Sequence, residues 1–328
     1  MTASHGTTTT LRTRLVAGAA GLLCLGLAGC GLQSASGAVL DAEPGTIEPV
    51  DSLEGVPVTV ASKDFTEQQL LGNMLAIVMN VAGAEVTNLS NTPGSFGVRQ
   101  ALLDGRVDIS PEYTGTGWIN YLGNDKPVKG EQEQYEAVYE ADLANGLTWL
   151  PPSPMNNTYA FAIREDKAEE LGVTKLSELA DLPPEELTFC VESEFAARDD
   201  GFEPMLETYD LSRSELANVS TLATGVVYTA TANGRCNFGE VFTTDGRIPG
   251  LGLRVLEDDR EFFPLYNLSF VVGSDFLEEH PAVKDVLGQV APKLTNEVML
   301  ELNARIDVEG DDPAIVARDW LRSEGFVR

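Results

Sequence analysis

The sequence predicts an α/β protein made of two units. Short β-branched and aromatic runs alternate with stretches of helical periodicity, the alternation restarts after a proline-rich break, and the last strand is followed only by helical sequence. With 43% of its 328 residues hydrophobic and 22% charged, the chain has apolar material for one large domain or two smaller ones, which excludes the disordered and fibrous classes.

The elements follow in chain order. Arg12 and Arg14 precede an apolar run over residues 15–27, too short for a bilayer span, and Leu27, Ala28, Gly29 and Cys30 form a small-residue cleavage site ending in cysteine. This is the pattern of a bacterial lipoprotein signal. Residues 1–29 are then a signal peptide and Cys30 a lipid-bearing N-terminus that anchors the chain to the outside of the cell membrane. Residues 30–55, rich in small, acidic and proline side chains, read as a flexible tether.

Residues 56–62 read as a buried strand, and Thr66 with Gln69 three positions on reads as a capping box opening a helix. That helix carries Leu70, Leu71, Met74, Ile77, Val78 and Val81 at helical spacing. Residues 84–89 are strand-like, 96–104 helical and 107–110 a strand that stops at Pro111, before a flexible turn with Gly115 and Gly117. The proline-rich residues 150–157 suit a crossover. Strands are then expected at 159–164, 187–192, 219–222 and 237–242, with helices from Asp166, near 203–209 and over 226–233. A further strand at 266–272 precedes three helical stretches, which can only return to the first sheet. Residues 56–153 with 265–328 are therefore assigned to lobe I and 154–264 to lobe II, each with a parallel sheet.

Composition removes several function classes. A formal charge of −29 repels a phosphate backbone, so nucleic acid is excluded as a partner. The two histidines, His5 in the signal and His280 before Pro281, supply no Ser-His-Asp or Cys-His site. No metal-ligand spacing occurs, and Gly115, Thr116 and Gly117 lack the third glycine of a dinucleotide loop, Asn120 standing at its place, so neither metal nor cofactor is expected. Asp108 and Glu112 could form a carboxylate pair for glycoside hydrolysis, the one enzymatic alternative. Of the four cysteines, Cys24 leaves with the signal and Cys30 is lipidated; Cys190 and Cys236 remain as either one disulfide or two buried thiols.

Six ordered motifs are more specific: SKDFTEQ (62–68), PEYTGT (111–116), NNTYAF (156–161), RDDG (198–201), FTTDG (242–246) and FFPLY (262–266). Together they resemble the substrate-binding lipoproteins of ABC importers for quaternary-amine osmoprotectants such as glycine betaine, choline and carnitine. The resemblance implies a two-lobed, type II periplasmic-binding-protein fold with a hinge, working with a membrane permease and its ATPase and performing no chemistry itself. It also implies an aromatic cage at Tyr113, Tyr159, Phe242 and Tyr266, with phenylalanine where the family commonly has tyrosine.

The chemistry agrees. A trimethylammonium group has no N–H to donate and spreads its charge over methyls, so negative ring faces suit it better than a carboxylate. The resemblance places Lys63, Thr116 and Arg198 at the ligand's other end, where two cations and a hydroxyl suit a carboxylate. If all three face the cleft, a zwitterion such as glycine betaine is preferred to choline, which would leave the cations uncompensated. Gln68 and Asn157 are polar neighbours of this site. Tyr121, Tyr135, Tyr139, Tyr209 and Tyr228 are read as core. The alternative within the binding class is a receptor for another small cation or an amino acid.

Overall fold

A computed structural model describes residues 37–124 and 126–328. The signal sequence, Cys24 and Cys30 lie outside the described residues. Among the described residues, ten strands form two five-stranded sheets. The strands are β1 (Pro57–Lys63), β2 (Glu85–Thr92), β3 (Ile109–Tyr113), β4 (Leu147–Trp149), β5 (Tyr159–Arg164), β6 (Thr188–Glu192), β7 (Asn218–Leu222), β8 (Phe238–Phe242), β9 (Leu253–Val255) and β10 (Leu268–Gly273). The first sheet has the order β2-β1-β3-β10-β4 and the second β7-β6-β8-β5-β9.

Both sheets are mixed, whereas the alternation predicts parallel ones. In the first, β1 is parallel to β2 and β3, but β10 is antiparallel to β3 and β4. In the second, β6 is parallel to β7 and β8, while β5 is antiparallel to β8 and β9. The reversed strands β5 and β10 are the ones that each crossover delivers, and apolar periodicity carries no sign of direction. The two crossovers run together, joined by a bridge between Asn156 and Asn267. Asn156 also accepts the Tyr266 N–H at 2.7 Å. Chain segments that connect the lobes this closely are the natural hinge.

The helix Thr66–Val81 buries Leu70, Leu71, Met74, Ile77, Val78 and Val81, the face its spacing predicts. Its start differs from expectation. Phe65 is the N-cap and makes no side-chain cap bond; the Thr66 hydroxyl turns to Asp307 at 2.6 Å, and Gln69 reaches the Asp64 carbonyl. The C-terminal helices, four rather than three, pack back on the first sheet and on this helix.

Other local readings are corrected by packing. Residues 37–55 are not a free tether: Ile47 and Leu53 are buried, Ile47 N–H bonds the Phe326 carbonyl, and Val50 N–H bonds that of Ala82. β3 does not stop at Pro111 but runs to Tyr113, pairing with β10 throughout. β1 meets β3 only at Val60 and Ile109, so the N–H that Pro111 lacks costs no ladder bond. The segment after it is a buried helical turn, Thr114–Thr116. Its glycines serve close approach: a Cβ on Gly115 would lie 2.7 Å from the Tyr266 ring, and one on Gly117 2.7 Å from Trp149. Cys190 and Cys236 are joined as a disulfide, with Cα atoms 5.8 Å apart.

Candidate functional site

The C-terminal ends of β1, β3 and β8, the start of β5 and the second crossover converge on one cleft between the sheets. This is where α/β sheets open toward ligands. The cavity there measures about 380 Å³. Its lining includes Lys63, Tyr113, Thr116, Asn157, Tyr159, Arg198, Phe242 and Tyr266, so eight of the nine ligand-binding candidates come together. The ninth, Gln68, does not line it. Gln68 is buried beneath, where its Oε1 accepts the Lys63 N–H at 3.2 Å and so fixes the backbone at the end of β1.

The rings form a continuous series. Tyr266 meets Tyr159 edge-on at 5.4 Å between centroids, Tyr159 lies 5.2 Å from Phe242, and Phe242 lies 5.1 Å from Phe65. Phe65 then stacks on Tyr113 at 6.4 Å. Phe65 was not among the expected ring residues, although it stands inside the SKDFTEQ motif. Burial raises the phenol pKa values of Tyr113, Tyr159 and Tyr266 well above the usual tyrosine range. These rings therefore stay neutral at physiological pH and keep the negative faces that attract cations. Tyr228, expected as core, accepts the Phe242 N–H at 2.9 Å and fixes that wall from behind.

The polar end is less bare than the sequence suggests. Lys63 pairs with Glu112 at 2.8 Å, both side chains buried. Arg198 makes two hydrogen bonds to Asp200, at 2.6 and 2.8 Å. Burial opposes ionisation of Asp200, but the Arg198 charge and hydrogen bonds outweigh it and hold the carboxyl below its ordinary range. Both cations thus carry internal counter-ions, so choline would not leave them uncompensated. Their donors are not exhausted. Lys63 uses one N–H on Glu112, and Arg198 reaches Thr116 and Glu194 only at 3.4 Å.

Contacts from both lobes meet around the cleft. Ser95, in the first lobe, donates its hydroxyl to Glu194 in the second at 2.5 Å, and Asn120 donates to Asp200 at 3.1 Å. Glu67 is fully buried behind the rings; burial pushes its pKa up, against four hydrogen bonds that favour the charged form. The two carboxylates of the hydrolase alternative are engaged by other partners. Glu112 is held by Lys63, while Asp108 accepts the Thr59 N–H at 2.7 Å. Neither carboxylate lines the cleft. Among the described residues no cluster of His, Cys, Asp or Glu could hold a metal ion, and no helix is long and apolar enough to cross a membrane.

Residues 56–323 match the family model described as the substrate-binding domain of an ABC-type glycine betaine transport system, OpuAC. The chain belongs to this family. A glycine-betaine-binding protein of Pseudomonas aeruginosa is 37% identical over 278 residues, 82% of this chain and 88% of that protein. The ergothioneine transport permease/ergothioneine binding protein EgtU of Helicobacter pylori is 30% identical over 279 residues, 85% of this chain but only 49% of EgtU. A solved structure titled as a glycine betaine/carnitine/choline ABC transporter superposes with a TM-score of 0.69 at 27% identity, covering 82% of this chain and 99% of that one. The chain is therefore two-lobed and is the solute-binding component of an ABC-type transporter.

Proposed function

We propose that this OpuAC protein is an extracytoplasmic receptor, lipid-anchored through Cys30, that captures a quaternary ammonium solute between its lobes and presents it to an ABC permease. Glycine betaine is the first ligand to expect, with carnitine and choline beside it. The observation that carries the reading is the unbroken series Tyr113, Phe65, Phe242, Tyr159 and Tyr266, drawn from both lobes and lining one cavity. Each ring face contributes about 0.5 to 2 kcal/mol to holding a methylated cation, and none of them asks it for a proton.

The ligand's carboxylate would take the remaining N–H groups of Lys63 and Arg198 and the Thr116 hydroxyl. Because Glu112 and Asp200 already balance the charge, choline is disfavoured only by the hydrogen bonds it forgoes. A solute touching both lobes stabilises their approach, since only differential contact shifts that equilibrium. Titration calorimetry with glycine betaine, carnitine, choline and the tert-butyl carbon isostere of choline tests the reading. The three amines should bind, and the uncharged isostere at least tenfold more weakly. An isostere that binds as well as choline, or a protein indifferent to all four, would overturn it.

A further inference from the structure

Glu67 occupies the second position of the helix Thr66–Val81, and its carboxylate receives four hydrogen bonds. Oε1 accepts from Tyr113 Oη at 2.5 Å and Asn157 Nδ2 at 2.8 Å. Oε2 accepts from Thr244 Oγ1 at 2.5 Å and Asn303 Nδ2 at 3.1 Å. Tyr113 and Asn303 belong to the first lobe, Asn157 to the crossover and Thr244 to the second lobe, just past β8. Asn303 also donates to the Thr244 carbonyl at 2.9 Å, so the second lobe is held at this point through side chain and backbone together.

Three of these donors have a place in the ring series. Tyr113 is itself a ring, Asn157 stands two residues before Tyr159, and Thr244 stands two residues after Phe242. A carboxylate with two filled acceptor positions on each oxygen fixes all three at once, and hydrogen bonds to an ionised group are the stronger kind. We propose that Glu67 is a positioning residue: its carboxylate docks Thr244 of the moving lobe and so couples approach of the lobes to assembly of the ring walls. Glu67 itself does not line the cleft, so it acts on the solute only through Tyr113, Asn157 and Phe242. The inference rests on the proposed capture of a quaternary amine in that cleft.

The experiment compares Thr244→Val, Thr244→Ser, Glu67→Gln and the Glu67→Gln/Thr244→Val double variant. Glycine betaine affinity is measured by calorimetry, the radius of gyration of the ligand-free protein by solution scattering, and the thermal midpoint alongside. Thr244→Val should weaken binding about tenfold, the worth of one hydrogen bond to a charged group, and expand the ligand-free protein with little change of midpoint. Thr244→Ser should restore both. In the Glu67→Gln background, Thr244→Val should cost less than about threefold more, because the negative charge that the Thr244 hydroxyl bonds is already lost. The full loss in both backgrounds, or unchanged affinity and dimensions in Thr244→Val, would overturn the proposal. Should Glu67→Gln fail to fold, the Val and Ser variants of Thr244 still decide it. A wild type that binds no amine while Thr244→Val still expands leaves this coupling standing and refutes the functional reading; amine binding untouched by any variant does the reverse.

Discussion

Glu240 shows most plainly what one buried carboxyl does to the molecule. It lies within β8, wholly buried, with Oε2 accepting the Glu192 N–H at 3.1 Å and Oε1 without a partner. Burial, reinforced by the neighbouring Glu192 charge, raises its pKa to about 8. The folded state therefore holds a proton that the unfolded chain releases near pH 4.5, and stability falls as pH rises through that window, by at most about 1.4 kcal/mol for each pH unit. Glu240→Gln should remove this share. Its thermal midpoint relative to the wild type should rise steadily from pH 5 to pH 8, and a difference independent of pH would contradict the account. At this same scale the sequence was legible where chemistry selects a residue type: the tyrosines, Lys63, Thr116 and Arg198 all reach the cleft. It was not legible where a role depends on partners far along the chain. Nothing local marks Glu67, Glu112 or Asp200 as the acceptors that hold the site's donors, since 51 acidic residues offer no contrast.

Elements were readable by periodicity and misread where packing decides. The long apolar helix and most strands follow from spacing alone. β4 and β9 are three residues each, too short to show a period, and exist because a neighbouring strand offers its edge. The turn after β3 was misread for the opposite reason, because glycine usually marks flexibility and here marks contact. Gly115 has ordinary helical backbone, so alanine would suit its dihedrals but place a methyl 2.7 Å from Tyr266 and 2.8 Å from the Leu265 carbonyl. Gly115→Ala should therefore displace the Tyr266 wall rather than unfold the turn. Glycine betaine affinity should fall about tenfold with the protein still cooperatively folded, overpacking of this kind costing about 1 to 3 kcal/mol. Unchanged affinity would show that the Tyr266 ring has no part in holding the solute.

Across the whole molecule, the two sheets and their paired crossovers follow from one arrangement. Each lobe brings strand ends to a shared cleft, each crossover delivers an antiparallel strand, and the rings meet where those ends converge. The chain is strongly acidic, while the cleft is lined by a run of aromatic rings. The selectivity expected of this molecule is therefore for methylation rather than for charge alone. The most direct measurement is calorimetric titration with glycine, its mono- and dimethylated derivatives and glycine betaine, a series of constant net charge in which each step replaces an N–H with a methyl. The account predicts that affinity climbs at every step and is greatest for the trimethylated member. Glycine binding as tightly as glycine betaine would contradict it.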